Sequence, residues 1–467
     1  MTPPQLSRTL GHARPRAPVR IVHLGLGNFF RAHPCWYTEH AADADSWGIA
    51  AFAGRGARDL VDDLNAQDDL FTLVSRGADR DRFEVVGALS NAHHVDDTKA
   101  WLTYMASPQV AAVTITITEA GYLRAPTGGL DIARHDLQSD IQTLRRAPTT
   151  GMVRTAPGRL LAGIAARQRA SAGPLALVPC DNTPGNGQLV HQVIAELAAL
   201  VDDDLARWTE ESVTVVSTMV DRITPGTQPD DLITVAAATG LRDRCPVVTE
   251  PFHEWVLSGR FPSGRPQWQV AGATFTDDVR PYEDRKLWLL NGAHSLLAYT
   301  APLRGHATVA DAVQDRACQE WLQQWWQVAA THLDQPPDEL AAYQAALMRR
   351  FTNARMNDRL DRIAADGSLK LPIRILPVLR AERAAGRLPP AATLVLAAWV
   401  CHLRGLSGPI RDAGAAPILT EVAGPLRSAV IAALAALDPA LADDADMASQ
   451  VYAQSRELAQ MRGNHFE

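Results

Sequence analysis

The fold of this 467-residue chain is decided by residues 21–31, which read IVHLGLGNFFR. A mostly apolar run that leads straight into glycines predicts a buried strand, a tight turn and a helix. Gly25 and Gly27 let the backbone approach a pyrophosphate, whose charge is met by the amides at the start of the next helix. Phe30 stands where the dinucleotide-binding fingerprint has its third glycine. The stretch favours dinucleotide binding, and a simple strand–helix turn is the alternative.

The sequence around this stretch predicts the fold class. From residue 21 to about 275, short β-branched runs alternate with longer helical stretches, which is typical of βαβ units and a mainly parallel sheet. After Tyr282 the strand signals stop, and an apolar period of about 3.6 residues predicts helices. The predicted strands are Ile21–Leu26, Gly48–Ala53, Val113–Thr118, Leu175–Val178 and Val213–Thr218, with an antiparallel ribbon of Phe71–Ser75 and Phe83–Val86.

We therefore predict an α/β protein in which an N-terminal Rossmann-like doubly wound sheet is followed by a mostly α-helical C-terminal domain. Residues 1–20 are rich in arginine and proline and predict a flexible N-terminal arm. Residues 21–280 are assigned to a dinucleotide-binding domain and residues 281–467 to a helical substrate and catalytic domain.

The composition excludes several classes of protein. The chain has 45 Lys and Arg against 52 Asp and Glu, a net charge of −7, so it lacks the positive field that attracts nucleic acid or anionic lipid. Its 5 cysteines form no C-x-x-C pair, which indicates free thiols in a reducing compartment rather than a disulfide framework or a zinc cage. Neither a secretory signal nor an apolar run of about 20 residues is recognisable. We therefore expect a cytoplasmic protein that binds small molecules and neither nucleic acid nor membranes. We also expect that it binds no metal ion and is a monomer.

Two segments bear on the coenzyme. Residues 51–58, AFAGRGAR, contain no acidic side chain that could accept a hydrogen bond from the ribose 2′-hydroxyl of NAD. Arg55 or Arg58 could instead bind the 2′-phosphate of NADP, and the alternative is that both arginines are solvated. Residues 113–122 predict a strand beside the first one across the switch point of the sheet. Thr118 and Glu119 at its end would then line the nicotinamide pocket, and a turn closed by Gly121 is the alternative.

The segment YEDRKLWLLNGAHS, residues 282–295, is the most informative for chemistry. On a helix that turns about 100° per residue, Glu283, His294 and Asn291 lie at roughly 60°, 80° and 140° from Lys286, so four polar groups share one side. Burial lowers the pKa of a lysine and can turn it into a general base near neutral pH. The alternative is that Lys286 reaches solvent and His294 is a satisfied core histidine.

Two loops place polar side chains after predicted strands. Asp181, Asn182 and Asn186 follow the strand that ends near residue 178, and Asp221 follows the next strand. Open α/β sheets bind ligands at the carboxyl ends of their strands, so both loops are candidate ligand-binding loops. Turn and cap chemistry is the alternative for both loops.

With these residues in view, the chain resembles the polyol-specific long-chain dehydrogenase/reductase family, the group of mannitol 2-dehydrogenases and hexuronate reductases. Seven motifs occur in the family's order between about residue 21 and residue 375. They are Gly25-x-Gly27-x-Phe29-x-Arg31-Ala32-His33, Thr116-Ile117-Thr118-Glu119-x-Gly121-Tyr122, Cys180-Asp181-Asn182 with Asn186-Gly187, Met219-Val220-Asp221-Arg222-Ile223, Glu250-Pro251-Phe252, Lys286-x-x-x-Leu290-Asn291-Gly292-x-His294-Ser295, and Asp366-Gly367-Ser368-x-Lys370-x-Pro372.

The resemblance implies a metal-independent interconversion of a polyol and its 2-ketose with NAD or NADP. It implies that Lys286 is the general base, that Asn291 and His294 hold the reacting oxygen, and that Glu283 passes protons to solvent. The candidate coenzyme-binding residues are Gly25, Gly27, Asn28, Phe29, Arg31, Arg55, Thr118 and Glu119, and the candidate substrate-binding residues are Asn182, Asp221, Arg362 and Lys370. A mannitol-like polyol is the favoured substrate. A hexuronate of the fructuronate type and a catalytically idle nucleotide-binding protein are the alternatives.

Overall fold

The chain folds into two units, Met1–Arg280 and Pro281–Glu467, in a computed structural model that describes residues 3–11, 13–54, 56–125 and 128–462. The strands, all in the first unit, are β1 Val19–Leu26, β2 Gly48–Ala53, β3 Phe71–Arg76, β4 Asp81–Val86, β5 Leu89–His93, β6 Ala112–Ile115, β7 Leu175–Pro179, β8 Val213–Val215, β9 Ser217–Asp221, β10 Val247–Thr249, β11 Glu254–Ser258 and β12 Thr274–Phe275. The α-helices that begin in this unit are α1 Asn28–Ala32, α2 Pro34–Glu39, α3 Arg58–Ala66, α4 Thr98–Met105, α5 His135–Arg146, α6 Ala156–Arg169, α7 Asn186–Val201, α8 Asp203–Ser212, α9 Pro229–Thr239 and α10 Arg280–Arg285.

The main sheet is the predicted doubly wound one. Its strand order is β5-β2-β1-β6-β7-β8, and every neighbouring pair is parallel. The chain winds outward from β1 in one direction and then from β6 in the other, so the order reverses between these two strands. That reversal is the topological switch point, where open α/β sheets bind ligands.

Two smaller sheets complete the unit. The predicted ribbon is confirmed, because β3 and β4 are antiparallel, with Phe71 opposite Val86. The predicted strand Val213–Thr218 is wrong at its end, since it breaks at Val216 into β8 of the main sheet and β9 of the sheet β12-β11-β9. The Asn186 side chain donates to the Thr218 carbonyl at 2.9 Å and accepts from the Thr218 amide at 3.0 Å, so the backbone there is paired outside the main sheet.

Apolar side chains of the central strands point alternately to the two faces of the main sheet and fill a core on each face. In β1, Val22 and Leu24 belong to one buried cluster and Ile21 to the other, and all three are at most 5% exposed. In β2, Phe52 and Ile49 divide between the two clusters in the same way. Strands buried on both faces in this manner are typical of a parallel sheet covered by helices.

The N-terminal arm is not loose over its described residues. Leu6 is fully buried with Leu70 and Leu241, and the Arg8 guanidinium donates to the carbonyl groups of Gly87 and Leu89, both at 3.0 Å. The expectation of a flexible arm fails because one leucine finds an apolar pocket and one arginine pairs with two strand-edge carbonyls. β1 accordingly begins at Val19 rather than Ile21.

The second unit is helical. A π-helical turn, Lys286–Asn291, separates α10 from α11, and α18 is buried at every position from Ala391 to Leu403. In the described part of the chain, no helix combines the length and apolar character needed to cross a bilayer. The remaining helices are α11 Gly292–Thr300, α12 Val309–Ala312, α13 Arg316–Ala330, α14 Pro337–Phe351, α15 Leu360–Ile363, α16 Gly367–Arg374, α17 Leu376–Ala384, α18 Pro390–Leu403, α19 Leu419–Val422, α20 Leu426–Leu437, α21 Pro439–Ala442 and α22 Ala445–Gln460.

Candidate active site

Gly25 makes possible the close approach of two strand ends at the switch point. Its φ is +115°, and a Cβ atom there would lie 2.1 Å from the Thr116 carbonyl oxygen. Thr116 follows β6, and its hydroxyl donates to the Gly25 carbonyl at 2.8 Å. Gly27 differs, because a Cβ there would meet only the Gly25 carbonyl oxygen, at 3.7 Å. Gly25 is therefore needed by the fold, whereas the space at Gly27 is open.

Phe30, at the position of the missing third glycine, packs beneath this turn. Its ring stacks on His23 with centroids 3.6 Å apart, and both residues are fully buried. The two ring nitrogens of His23 lie 2.8 Å from the Thr114 hydroxyl and 3.0 Å from the Thr116 hydroxyl. Burial lowers the pKa of His23 to about 3, so the imidazole is neutral at neutral pH. An aromatic stack here replaces the close helix–strand contact that a glycine would allow.

Arg31 and Asn28 support the turn through their side chains. Arg31 is 2% exposed and donates to Asn28 Oδ1 at 2.6 Å, to the Gly27 carbonyl at 3.4 Å and to the Cys245 carbonyl. Asn28 donates in turn to the Pro225 carbonyl at 3.4 Å. Both side chains are thus held by protein groups. Phe29 is half-buried and stacks on the ring of His33.

The remaining coenzyme candidates of the first unit lie at the ends of β6 and β2. Thr118 and Glu119 are exposed at the start of the short 3₁₀ helix Glu119–Tyr122, which follows β6. Arg58 begins α3 and forms an exposed ion pair with Asp96 at 3.0 Å. Arg55 lies outside the described residues.

The two polar loops differ in their surroundings. Asn182 is exposed after β7 of the main sheet, and its neighbour Asp181 accepts hydrogen bonds from the Tyr122 hydroxyl and from the Thr183 amide. Asp221 is 5% exposed and ends β9, opposite Glu254 of antiparallel β11. The expectation that Asp221 follows a strand of the main sheet is wrong, because that strand leaves the sheet at Val216.

In the second unit, the π turn alters how the polar side chains are arranged. Residues five apart differ by about 140° on an α-helix, but π hydrogen bonds run from i to i+5 and bring such residues onto one side. Lys286 and Asn291 are the first and last residues of this turn. Glu283 lies three residues before Lys286, and His294 lies three residues after Asn291. On an α-helix, residues three apart are neighbours on one side. The four side chains are half-buried.

Two tryptophans of α13 satisfy the carbonyl groups of the π turn. The Trp325 indole N–H donates to the Trp288 carbonyl and the Trp326 indole N–H donates to the Leu289 carbonyl, each at 2.8 Å. A Cβ atom on Gly292 would lie 2.8 Å from the Trp325 ring, so only glycine allows this contact. Sequence reasoning missed both tryptophans, although an adjacent Trp-Trp pair on an amphipathic helix was a visible signal.

His294 has a carboxylate neighbour that the sequence did not reveal. Its Nε2 lies 3.7 Å from Oδ2 of Asp358, and its ring packs against Phe351 with centroids 5.0 Å apart. Burial raises the pKa of Asp358, while Arg362 and Arg350 oppose that shift. Asp358 is fixed by its backbone, since its carbonyl accepts from the Val309 amide at 2.9 Å.

The two candidate substrate residues of this unit lie on α15 and α16. Arg362 is exposed, whereas Lys370 is half-buried and donates to the Ile363 carbonyl at 3.3 Å. Burial and then the neighbouring Arg374 lower the pKa of Lys370. Arg374 itself donates to the Asn291 carbonyl at 3.4 Å and to the Ser295 hydroxyl at 3.3 Å, and burial lowers its pKa to about 10. Cationic side chains thus gather beside the C-terminal end of the π turn.

One group of potential metal ligands is brought together in the described residues, although the sequence predicts no metal. His306, Asp315 and Cys318 each offer an atom within 4.8 Å of the others. The Asp315 carboxylate already pairs with Arg304 at 2.8 Å and accepts from the Ala317 amide at the start of α13. Burial raises the pKa of the Cys318 thiol to about 12. These contacts are those of a helix cap with a neutral thiol.

Comparison with known proteins identifies both units. Residues 19–270 match the family described as the mannitol dehydrogenase Rossmann domain, and residues 278–442 match the mannitol dehydrogenase C-terminal domain. The chain is 36% identical over 401 residues to the D-mannonate oxidoreductase of Escherichia coli (strain K12), which spans 84% of this chain and 81% of that protein. It is 34% identical over 395 residues to a mannitol 2-dehydrogenase of Cereibacter sphaeroides, which spans 82% of this chain and 81% of the relative.

A solved structure extends the similarity over almost the entire chain. The mannitol 2-dehydrogenase of Pseudomonas fluorescens, solved as a ternary complex with NAD and D-mannitol, matches with a TM-score of 0.82 and 30% sequence identity. The match covers 98% of this chain and 97% of that one.

Proposed function

The chain belongs to the mannitol dehydrogenase family of oxidoreductases, and from that premise we propose that it interconverts a polyol and its 2-ketose with a nicotinamide coenzyme. Mannitol and fructose are the model pair. The single observation that carries the proposal is the π turn that begins with Lys286 and ends with Asn291, with His294 three residues further along the chain. π turns inside α-helices occur often at functional sites.

The first unit would hold the coenzyme. The open space at Gly27 suits a pyrophosphate, and the amides of Asn28 and Phe29 follow it at the start of α1. Thr118 and Glu119 would line the nicotinamide pocket, and Arg31 would brace the turn without touching the coenzyme. When bound, the coenzyme supplies the chemistry of hydride transfer.

The second unit would handle the proton. Neutral Lys286 takes the proton of the secondary hydroxyl as the carbon is oxidised. In the reverse direction, protonated Lys286, the Asn291 amide and the His294 ring donate hydrogen bonds to the oxygen, whose negative charge grows as the carbonyl is reduced. Glu283 would pass the proton on to solvent. None of these steps uses a metal ion.

Hexuronate reduction is the second candidate. Lys370 lies near the positive charges of Arg374 and Arg362, and a sugar acid carries a carboxylate that such a group of cations attracts. The similarity to D-mannonate oxidoreductase supports the same candidate. Asn182 and Asp221 would bind hydroxyl groups in either case.

A substrate and coenzyme panel tests the proposal. The purified full chain is mixed with NAD or NADP and with mannitol, arabinitol, sorbitol, fructose or fructuronate, and the absorbance of the reduced nicotinamide is followed. We expect turnover of one polyol–ketose pair that EDTA does not diminish. Turnover of fructuronate alone would favour the hexuronate reductase. No change in absorbance with any substrate would favour a nucleotide-binding protein without catalytic activity.

Lys286→Ala tests the proposed base. We expect turnover to fall by a factor of about 10³, within the range for general acid–base catalysis, while coenzyme affinity is retained. Lys99→Ala, which removes an exposed lysine of α4, is the matched control and should keep wild-type turnover. Near-normal turnover of Lys286→Ala would remove the lysine from the mechanism.

A further inference from the structure

We propose that Trp325 and Trp326 are positioning residues for the proposed oxidation, because their indole N–H groups hold residues 286–291 in the π form that brings Lys286 and Asn291 to one side of the helix. The inference rests on the proposed function for its kinetic test. Its structural test needs no substrate.

The two indoles reach the carbonyl groups that a π turn affects. In an α-helix the Trp288 carbonyl accepts from the Gly292 amide and the Leu289 carbonyl accepts from the Ala293 amide. In a π turn each hydrogen bond moves one residue further along the chain, and a buried carbonyl left without a good partner is costly. Trp325 and Trp326 donate to these two carbonyl oxygens at 2.8 Å each.

The tryptophans are themselves fixed in place. Trp325 is fully buried and Trp326 is 5% exposed, so both rings are packed against other protein groups. Trp325 lies so close to the helix that a Cβ atom at position 292 would be 2.8 Å from its ring. Trp326 also stacks on Phe351, whose ring contacts His294. α13 therefore contacts the middle of the π turn and Gly292 directly, and it reaches His294 through Phe351 of α14.

Replacing the two tryptophans by phenylalanine removes the indole N–H groups and keeps an aromatic ring at each position. The effect of the hydrogen bonds can then be distinguished from the effect of ring packing. We expect Trp325→Phe/Trp326→Phe to lower kcat for the polyol at least tenfold and to leave the coenzyme dissociation constant within twofold. Trp321→Phe is the matched control on the same helix, since its ring lies 5.9 Å from the Arg304 guanidinium and bonds no carbonyl of the π turn. It should keep kcat within twofold.

A double-mutant cycle excludes a general loss of stability as the cause. If the tryptophans act through Asn291, the double phenylalanine change should lower kcat less than twofold further in an Asn291→Ala background. An equal loss in both backgrounds would overturn the proposal, as would a wild-type kcat in the double phenylalanine variant.

A crystal structure of the same variant decides the point independently of activity. We expect residues 286–291 to revert to α-type hydrogen bonds. A π turn that survives in the variant would overturn the proposal, even if the wild-type chain oxidises no member of the panel. Gly292→Ala displaces the Trp325 ring from the other side, and it should cause the same reversion if the phenylalanine variant does not fold.

Discussion

Nε2 of His294 lies 3.7 Å from Oδ2 of Asp358, at the distance of an ion pair rather than of a direct hydrogen bond. Asp358 can therefore hold the imidazole in the orientation that points Nε2 towards the carboxyl group. Burial raises the pKa of Asp358, and the charge of Arg362 opposes that rise. Asp358 therefore interacts both with His294, a proposed catalytic residue, and with Arg362, a proposed substrate-binding residue.

The first prediction concerns this pair. Asp358→Asn removes the charge and keeps the shape, and we expect kcat/KM for the substrate to fall about tenfold, equivalent to about 1.4 kcal/mol. Steady-state kinetics measures the effect. Asp361→Asn, which removes the partner of Arg359 at 3.0 Å, is the control and should stay within twofold. An unchanged kcat/KM in Asp358→Asn would show that the carboxylate does not act on His294.

The second prediction separates the two glycines of the turn. Gly25→Ala places a Cβ 2.1 Å from a carbonyl oxygen at a φ of +115°, so the melting temperature should fall by several degrees or more. Gly27→Ala meets no protein atom closer than 3.7 Å, so it should keep the wild-type melting temperature and weaken coenzyme binding. Thermal unfolding and coenzyme titration measure the two effects. Equal melting temperatures for the two variants would contradict the structural reason given for Gly25.

The third prediction addresses the substrate. If Arg362 meets a carboxylate, Arg362→Leu should lower fructuronate turnover by roughly 10- to 100-fold, because a hydrogen bond to a charged group is worth about 1.5–3 kcal/mol. Mannitol turnover should fall only a few-fold. Arg359→Leu removes an exposed neighbouring arginine that pairs with Asp361, and it serves as the control. Equal losses on the two substrates would exclude carboxylate binding by Arg362.

The fourth prediction concerns pH and stability. The pKa of His23 is about 3 in the folded chain and about 6.5 when the chain is unfolded, so only the unfolded state takes up this proton between those values. Stability must therefore fall as the pH drops through that window. Between pH 7.5 and pH 5 this group alone should cost about 2 kcal/mol in the free energy of unfolding.

His23→Gln removes that contribution, and urea unfolding at the two pH values measures it. The variant should lose about 2 kcal/mol less than the wild-type chain between pH 7.5 and pH 5. His191→Gln, at a side chain that is 52% exposed, should behave as wild type does. The same pH dependence in His23→Gln and wild type would mean that another group is responsible.

The sequence predicted the features that depend on local pattern. A hydrophobic run into Gly25 and Gly27 indicated β1 and its turn, and alternating strands and helices indicated a sheet whose order reverses between β1 and β6. The features that it did not predict depend on contacts between residues far apart in the chain. The arm is held by carbonyl groups at residues 87 and 89, and the predicted strand 213–218 leaves the main sheet at Val216, before Thr218 pairs with Asn186.

The candidate site shows the same division. Lys286, Asn291 and His294 were visible as polar residues on an otherwise apolar helix. The π turn between Lys286 and Asn291 was not visible, because its carbonyl groups pair with Trp325 and Trp326 of another helix. The roles of these three polar residues stay predictions, as do those of Glu283, of the proposed substrate residues and of the proposed coenzyme residues.

The bracing of the glycine turn has a consequence for synthesis. Arg31 and Asn28 reach the carbonyl groups of Cys245 and Pro225, which leave the ribosome about two hundred residues later. A nascent chain that ends near residue 200 holds the entire glycine motif but none of those acceptors. The bracing of the glycine turn is thus completed late in translation, although the turn itself is among the first residues made.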